Sequence, residues 1–225
     1  MNIQSKVITS PLLLNNSKIN IYYEIDRFIN EVFINGEYVK ALLASKVLDR
    51  DNLVLLDLGC NIGSFSFSIY DLCKSIYAVD LSTNCIEILN KTIASNNLSK
   101  ITTYNCAIGD ENTIVYPSSL YVTDGSNTIN GGKDPIQSYT LNTFCLNNHI
   151  SNIDLLKIDV EGAETAIFSA PDFSLVASSI GCIIGEIHSG QVIDTHLTRN
   201  NFTVKYKGSI FYAVNNSYAH SSAPD

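Results

Sequence analysis

The sequence predicts an α/β protein built on a doubly wound, mostly parallel seven-stranded sheet with an antiparallel terminal strand. Three observations predict it. From Leu53 onward, short apolar runs alternate with stretches of helical periodicity. The runs end in acids or an amide, at Asp57, Asp80, Asn105, Asp159 and Glu186, so their functional groups gather at one edge of a sheet. The last two runs, 204–206 and 210–214, flank Gly208 as the arms of a hairpin would. Strands alternating with helices imply right-handed crossovers and parallel pairing, and the closing hairpin supplies the antiparallel strand.

Taken in order, residues 1–36 read as an N-terminal extension, in which 19–23 alternates weakly and Asn35-Gly36 is a turn signal. Over 37–48, Val39, Leu42, Leu43 and Val47 recur at helical spacing. The first core strand is 53–57 and the helix after it 64–72. The second strand is 76–80, followed by a helix over 85–95 with Ile86, Leu89 and Ile93 on one face; the third strand is 101–106. Between 110 and 140 the alternation breaks, and Gly125-Ser126-Asn127 and Gly131-Gly132 punctuate an irregular insertion. Such a length suits a lid over a site or a plain surface loop. The fourth strand, 155–159, precedes a helix over 163–169; the fifth, 182–187, precedes a helix over 191–200. The chain divides into the extension 1–36, a core domain 37–215 and a polar tail 216–225.

The bulk properties narrow the function. With 225 residues and 45% hydrophobic content, one domain can bury a sizeable core. A formal net charge of −8, with 14 scattered Lys and Arg, disfavours a nucleic-acid partner. The apolar run Leu12-Leu13-Leu14 is too short for a signal peptide or a membrane span, so a cytoplasmic protein is expected. The six cysteines form no C-x-x-C pair, which points to buried thiols in a reducing compartment rather than to zinc.

The chemistry begins at residues 57–63, where an apolar strand ends at Asp57 and runs through Gly59, Asn61 and Gly63 into a helix start. A strand, tight turn and helix N-terminus of this kind present backbone N–H groups to a nucleotide-type cofactor. One helix and one strand later, Asp80 is placed to accept hydrogen bonds from both ribose hydroxyls; the plainer alternative is a helix-capping acid, a role open to Ser82 as well. The dinucleotide pattern G-x-G-x-x-G and the Gly-Lys-Ser/Thr of a phosphate-binding loop are both absent. A nucleoside without phosphates therefore fits best, and S-adenosylmethionine (SAM) is the candidate.

Residues 57–63 (D-L-G-C-N-I-G) resemble motif I of class I SAM-dependent methyltransferases. Residues 105–110 (N-C-A-I-G-D) and 155–164 (L-L-K-I-D-V-E-G-A-E) are similar to blocks of the FkbM family, as are 31–38 and 140–144, so the resemblance spans about 30–214. Two positions depart from the pattern. Asn61 stands where many class I enzymes carry glycine, and Asn142 stands where the family usually has Asp. The resemblance implies a Rossmann-like SAM-methyltransferase fold. It implies that Asp57, Gly59, Asn61 and Gly63 shape the pocket around the methionine moiety, that Asp80 holds the ribose, that Cys106 and Ala107 lie near the adenine, and that Asp159 and Glu161 sit near the reacting methyl group.

It also implies methyl transfer to a hydroxyl of a small molecule such as a sugar, glycolipid headgroup or polyketide. That reaction calls for a base, and His188, just past the fifth strand, leads the four histidines, with Asp159 and Glu186 as rivals. Asp159, Glu161, Glu186 and His188 could also gather a divalent metal such as Mg²⁺, although the spacing does not require one. The alternatives are an N-methyltransferase, a SAM-fold protein serving as a non-catalytic binding or scaffold subunit and, more distantly, a nicotinamide oxidoreductase. A homo-oligomer is compatible with the sequence, and the acceptor is not named by it.

Overall fold

The computed structural model describes residues 3–9, 18–24, 27–30, 32, 36, 38–119, 131–188 and 192–218. Outside them lie Asn35 of the expected turn, most of the block 31–38, the stretch 120–130 with Gly125-Ser126-Asn127, residue 191 at the start of the last expected helix, and 219–225 of the tail with His220.

The chain opens with an antiparallel pair, β1 (Gln4–Ile8) and β2 (Ile19–Tyr23). One helical turn, α1 (Arg27–Asn30), and α2 (Val39–Ser45) lead through a 3₁₀ turn at Val47–Asp49 to β3 (Leu53–Leu58). All of β3 is buried, as a parallel strand covered on both faces must be. The following helix, α3 (Ser64–Ser68), is shorter than the expected 64–72. It gives way to a 3₁₀ turn at Tyr70–Leu72, because the chain must already reverse to enter β4 (Cys73–Asp80).

The helix α4 (Thr83–Asn96) has matched ends. The Ser82 side chain accepts from the Cys85 N–H at 3.4 Å, and Asn97 closes it in the left-handed region, where Asn is tolerated. The next strand, β5 (Ile101–Asn105), stops one residue short of Cys106, and the chain turns into β6 (Ala107–Gly109).

Two further strands, β7 (Thr113–Val115) and β8 (Ile136–Thr140), correct the expectation of a wholly irregular 110–140 insertion. They join β6 in a second sheet of order β6-β8-β7. Three-residue strands, and an edge strand facing water on most positions, leave too little alternation to read. Then follow α5 (Leu141–Asn147), β9 (Ile153–Ile158), α6 (Glu164–Ser169), α7 (Phe173–Ala177), β10 (Ile180–Glu186), α8 (Asp194–Arg199), β11 (Phe202–Lys207) and β12 (Ile210–Asn215). Neither α5 nor α7 was expected, since each is under two turns long and lies between stronger signals.

The main sheet has seven strands in the order β11-β12-β10-β9-β3-β4-β5. Among them β12 alone runs opposite to the other six. Side chains leave β3 with period two, so Leu55 joins the core on one face, with Phe67, Ile76 and Leu89, and Leu56 joins the other, with Phe144, Phe168 and Phe211. The N-terminal strands complete the first face. Ile19 and Ile21 are buried, and β2 is tied to α4 by the Asn20 N–H on Asn96 Oδ1 (2.9 Å) and the Tyr22 N–H on Thr92 Oγ1 (3.1 Å). All six cysteines are buried and none is in a disulfide. No described helix is long and apolar enough to cross a membrane.

Candidate active site

Strand order reverses at β3, which is flanked by β4 on one side and β9 on the other. Open α/β sheets bind ligands at this switch point, beyond the carboxyl ends of the strands. A cavity of about 1130 Å³, partly continuous with solvent, opens there. Its walls include Gly59, Asn61, Asp80, Cys106, Ala107, Asp159, Glu161 and Glu186. Asp57, Gly63 and His188 are not on that lining. The first two lie behind the loop that forms it, and His188 stands beside its acidic end.

The loop after β3 takes left-handed backbone at Gly59 (φ 68°), Asn61 (φ 50°) and Gly63 (φ 87°). Asn is among the few residues that accept this conformation, so the middle position keeps its geometry without glycine. Gly59 and Cys60 both donate to Val79 O, at 2.9 and 3.0 Å, which stitches the loop to β4. The glycines answer to protein neighbours more than to a ligand. A Cβ at Gly59 would lie 1.8 Å from the Asp159 carbonyl oxygen, and one at Gly63 would lie 2.6 Å from Leu89 Cδ1. Gly59→Ala therefore combines backbone strain with overpacking against main chain and should cost about 2–5 kcal/mol. Urea denaturation checks this, and an unchanged midpoint would contradict it.

Asp80 performs two tasks at once. Its Oδ1 accepts the Ser82 N–H and its Oδ2 the Asn61 N–H, each at 2.8 Å, so it clamps the glycine loop to the start of α4. Each oxygen keeps a lone pair for a ligand hydroxyl. Burial pushes its carboxyl upward from the ordinary range, while the two backbone N–H groups and Lys157 pull it back. Val79, Leu81, Cys106, Ala107 and Ile108 make an apolar wall beside it.

Beneath the loop, the fully buried Asp57 accepts the Ser66 hydroxyl at 2.7 Å through Oδ2 and stands 3.5 Å from Lys157 Nζ through Oδ1. Lys157 also donates to the Gly59 carbonyl at 2.8 Å and stands 3.6 Å from Asp159 Oδ2. Burial alone would strip its proton, but the carboxylates of Asp159 and Asp57 outweigh that and raise its pKa, so the ammonium persists. One buried cation thus joins the ends of β3 and β9.

The acidic end is built by the loop after β9 and the exit of β10. Glu161 (φ 55°) and Gly162 (φ 106°) fold the chain tightly from Asp159 into α6. The fully buried Glu164 holds this turn, its Oε1 accepting the Val160 and Gly162 N–H groups at 3.2 and 3.3 Å. The same oxygen lies 3.0 Å from His188 Nδ1, which turns Nε2 toward Glu161 Oε2 at 3.2 Å and Asp159 Oδ1 at 3.8 Å. Burial works to lower the His188 pKa, but the carboxylates of Glu164, Asp159 and Glu161 outweigh it and raise it. Glu161 is raised in turn by burial and by Asp159, against the pull of His188. Tyr38 reaches in from the turn before α2 and donates to Asp159 Oδ2 at 3.1 Å, its ring edge-on to Phe65 at 5.2 Å between centroids. Of the other described histidines, His149 is on an exposed turn and His196 on α8.

Three contributors escaped the sequence reading: Lys157, Tyr38 and Ser64. Lys157 carried a usable signal, a charge set between the buried apolar residues Leu156 and Ile158, which needs a buried partner. Ser64 gives the test of fit for SAM. Its hydroxyl oxygen is buried, lines the cavity and has no hydrogen-bond partner among the described residues, so it is available to a polar ligand group. With Asp80 for a diol, an apolar wall for a base, and Asp159, Glu161 and Glu186 for positive charge, the donor set fits a sulfonium nucleoside.

Comparison with known proteins agrees. Residues 57–203, well over half of the chain, match the methyltransferase FkbM domain. A protein of Methanococcus vannielii described as "probable cobalt-precorrin-6B C(15)-methyltransferase (decarboxylating)" is 25% identical over 145 residues, 60% of this chain and 76% of that protein. The T. thermophilus 16S rRNA N2 G1207 methyltransferase, solved with AdoMet and guanosine, superposes with a TM-score of 0.52 at 10% identity, over 95% of this chain and 51% of that one, which shows a shared fold. The precorrin-6y C5,15-methyltransferase of Geobacter metallireducens gives 0.48 at 14% identity, over 78% and 88% of the two chains. The chain belongs to the FkbM methyltransferase domain family and is a SAM-dependent methyltransferase.

Proposed function

We propose that the chain transfers the SAM methyl group to a hydroxyl oxygen of a small, uncharged acceptor, such as a sugar, a glycolipid headgroup or a polyketide-like alcohol. The observation that carries this reading is the placement of His188, held through Nδ1 by the fully buried Glu164 so that Nε2 faces the acidic end of the cavity. An alcohol must lose its proton as it attacks, and a fixed imidazole among carboxylates serves that need; a neutral amine would make no use of it. Asp159 and Glu186 stand in the same place as rival bases or as groups that hold the acceptor hydroxyl.

When bound, SAM supplies a methyl group on a sulfonium whose sulfur leaves with the bonding electrons as the new O–C bond forms. The chain's part is to bind, align and exclude water, and alignment alone is worth roughly 7–11 kcal/mol of barrier. In this reading Asp80 holds the ribose diol, the wall at Cys106 and Ala107 takes the adenine, and Gly59, Asn61 and Ser64 meet the methionine moiety. Asp159 and Glu161 offer negative charge to the sulfonium, while Asp57 and Gly63 support the loop from behind. The working unit is 37–215.

The charge of the acceptor end supports the substrate class. Asp159, Glu161 and Glu164 face one imidazole, Glu186 lines the same cavity, and the buried Lys157 is already engaged by Asp57, Asp159 and Gly59. A phosphate or polynucleotide acceptor would meet repulsion there, in a chain whose net charge is already −8. Six buried thiols outside any disulfide support a reducing, cytoplasmic setting.

Replacing His188 with Ala should lower kcat for a hydroxyl acceptor by about 10²–10⁴ while leaving SAM affinity within about threefold. Isotope-labelled methyl transfer together with calorimetry measures both. An unchanged kcat across the neutral pH range would remove His188 from the reaction.

A further inference from the structure

The geometry points to a divalent-cation site at the acidic end of the cavity, formed by Asp159 Oδ1, Glu161 Oε2 and His188 Nε2. These three atoms lie within 4.8 Å of one another, with His188 Nε2 3.2 Å from Glu161 Oε2 and 3.8 Å from Asp159 Oδ1. Two ligand atoms about 2.1 Å from one ion are about 3.0 Å apart when they occupy adjacent positions. The 3.2 Å pair is close to that spacing, and the other distances close with small side-chain adjustment.

The hydrogen bonds around the cluster give an independent reason. Glu164 is fully buried, and its Oε1 accepts two backbone N–H groups and lies 3.0 Å from His188 Nδ1, so it fixes the orientation of the ring. With Nδ1 so engaged, Nε2 is the ring nitrogen directed at the Glu161 and Asp159 oxygens. A divalent cation would take the place of a proton among these same three atoms. A buried carboxylate behind a ligating imidazole is also the usual outer support of a metal-bound histidine. Glu164 has a second oxygen that is buried and has no partner among the described residues, which adds to the negative charge a cation would offset.

The donor set selects the ion. One imidazole with two carboxylates suits a first-row cation such as Mn²⁺ better than Mg²⁺, which favours an all-oxygen, heavily hydrated shell. Three protein ligands leave positions open, and Asp159 and Glu161 both line the cavity, so these positions face the place of the acceptor. A cation held there would engage His188 Nε2 as a ligand and so would take over the role given to the free imidazole above, seating the acceptor oxygen and easing loss of its proton. This rests on the O-transfer reading above only for that role; the site itself does not depend on it.

The test is Mn²⁺ binding to the full chain, read from loss of the free-ion electron paramagnetic resonance signal, with no methyl acceptor present. Wild-type protein should bind one Mn²⁺. Glu161→Gln, at an exposed position, and His188→Ala should each weaken binding at least tenfold. Glu164→Gln should weaken it about 10–100-fold through the imidazole it supports. Asp194→Asn, which changes an exposed carboxylate on α8 outside the site, should bind Mn²⁺ as the wild type does. Absence of binding, or equal binding by wild type and Glu161→Gln, would overturn the site. If methyl transfer to a hydroxyl then persists, the O-transfer reading stands with His188 acting as a plain base. If Mn²⁺ binds as expected but only amines are methylated, the site stands and that reading falls.

Discussion

Replacing Asp80 with Ala should abolish measurable SAM binding in calorimetry. A carboxylate receiving two ribose hydroxyls contributes two hydrogen bonds to a charged group, each worth about 1.5–3 kcal/mol. Their joint loss weakens Kd by roughly 10²–10⁴. The loss is compounded because Asp80 also receives the Asn61 and Ser82 N–H groups, so its removal frees the glycine loop from α4. Asp80→Asn is the milder change. The amide keeps the side chain's shape and one acceptor oxygen, but it loses the charge and turns an NH₂ group toward one of the two backbone N–H groups, so it should weaken SAM by about 10–100-fold and cost about 1–3 kcal/mol of stability. If the Ala variant binds SAM as the wild type does, the ribose assignment is wrong and Asp80 is only a clamp.

The second large effect is on stability. Lys157→Met should destabilise the fold by about 3–5 kcal/mol, because it leaves Asp57, fully buried, without its counter-charge. In a chain of this size that lowers Tm by about 6–20 °C. The Asp159 carboxylate and the Gly59 carbonyl lose the same partner, so the seam between β3 and β9 should loosen and SAM affinity fall with it. Pairing Lys157→Met with Asp57→Asn removes the orphaned charge and should recover at least about half of the loss. A single variant within about 1 kcal/mol of wild type would show that Asp57 does not depend on Lys157.

Most of the central sheet was legible because its strands are buried on both faces and so read as unbroken apolar runs. β3 and β10 are the clearest examples. The three-stranded appendage was not, since β6 and β7 have three residues each and β7 faces water, leaving too few positions to establish a period. The glycine loop was located correctly, but its physical reason differs from the one sequence suggests. Gly59 is needed because the chain after β9 passes against it, and Gly63 because Leu89 and Phe67 do. Both are contacts between distant segments that no local pattern encodes.

The site shows the same division. Asp80, Asp159 and Glu186 line the cavity as residues at strand ends, which converge in this architecture, and Glu161, named by the family resemblance, lines it from the loop after β9. Glu164, four residues beyond Val160, stands with Asp159 and Glu161 among three acids within six residues of the sequence; only the fold reveals that it is fully buried and supports both the Asp159–Ala163 turn and the His188 ring. The residue Asn142 is half-buried on α5 and donates to Asp172 Oδ2 at 3.3 Å, away from the cavity lining, so its departure from the family's acid falls outside the site.

The central claim is that the methyl group goes to oxygen at the Glu164–His188 end of the cavity. The most direct measurement is nuclear magnetic resonance of the product formed from SAM carrying a ¹³C-labelled methyl group, offered to the enzyme with a mixed panel of polyol, amine and carbon-nucleophile acceptors. The methyl carbon's chemical shift and its coupling to neighbouring atoms identify the atom that received it. The account predicts a methyl ether on a small uncharged alcohol, formed by the wild type and lost in His188→Ala. A methyl group on nitrogen or carbon, formed equally well by that variant, would contradict it.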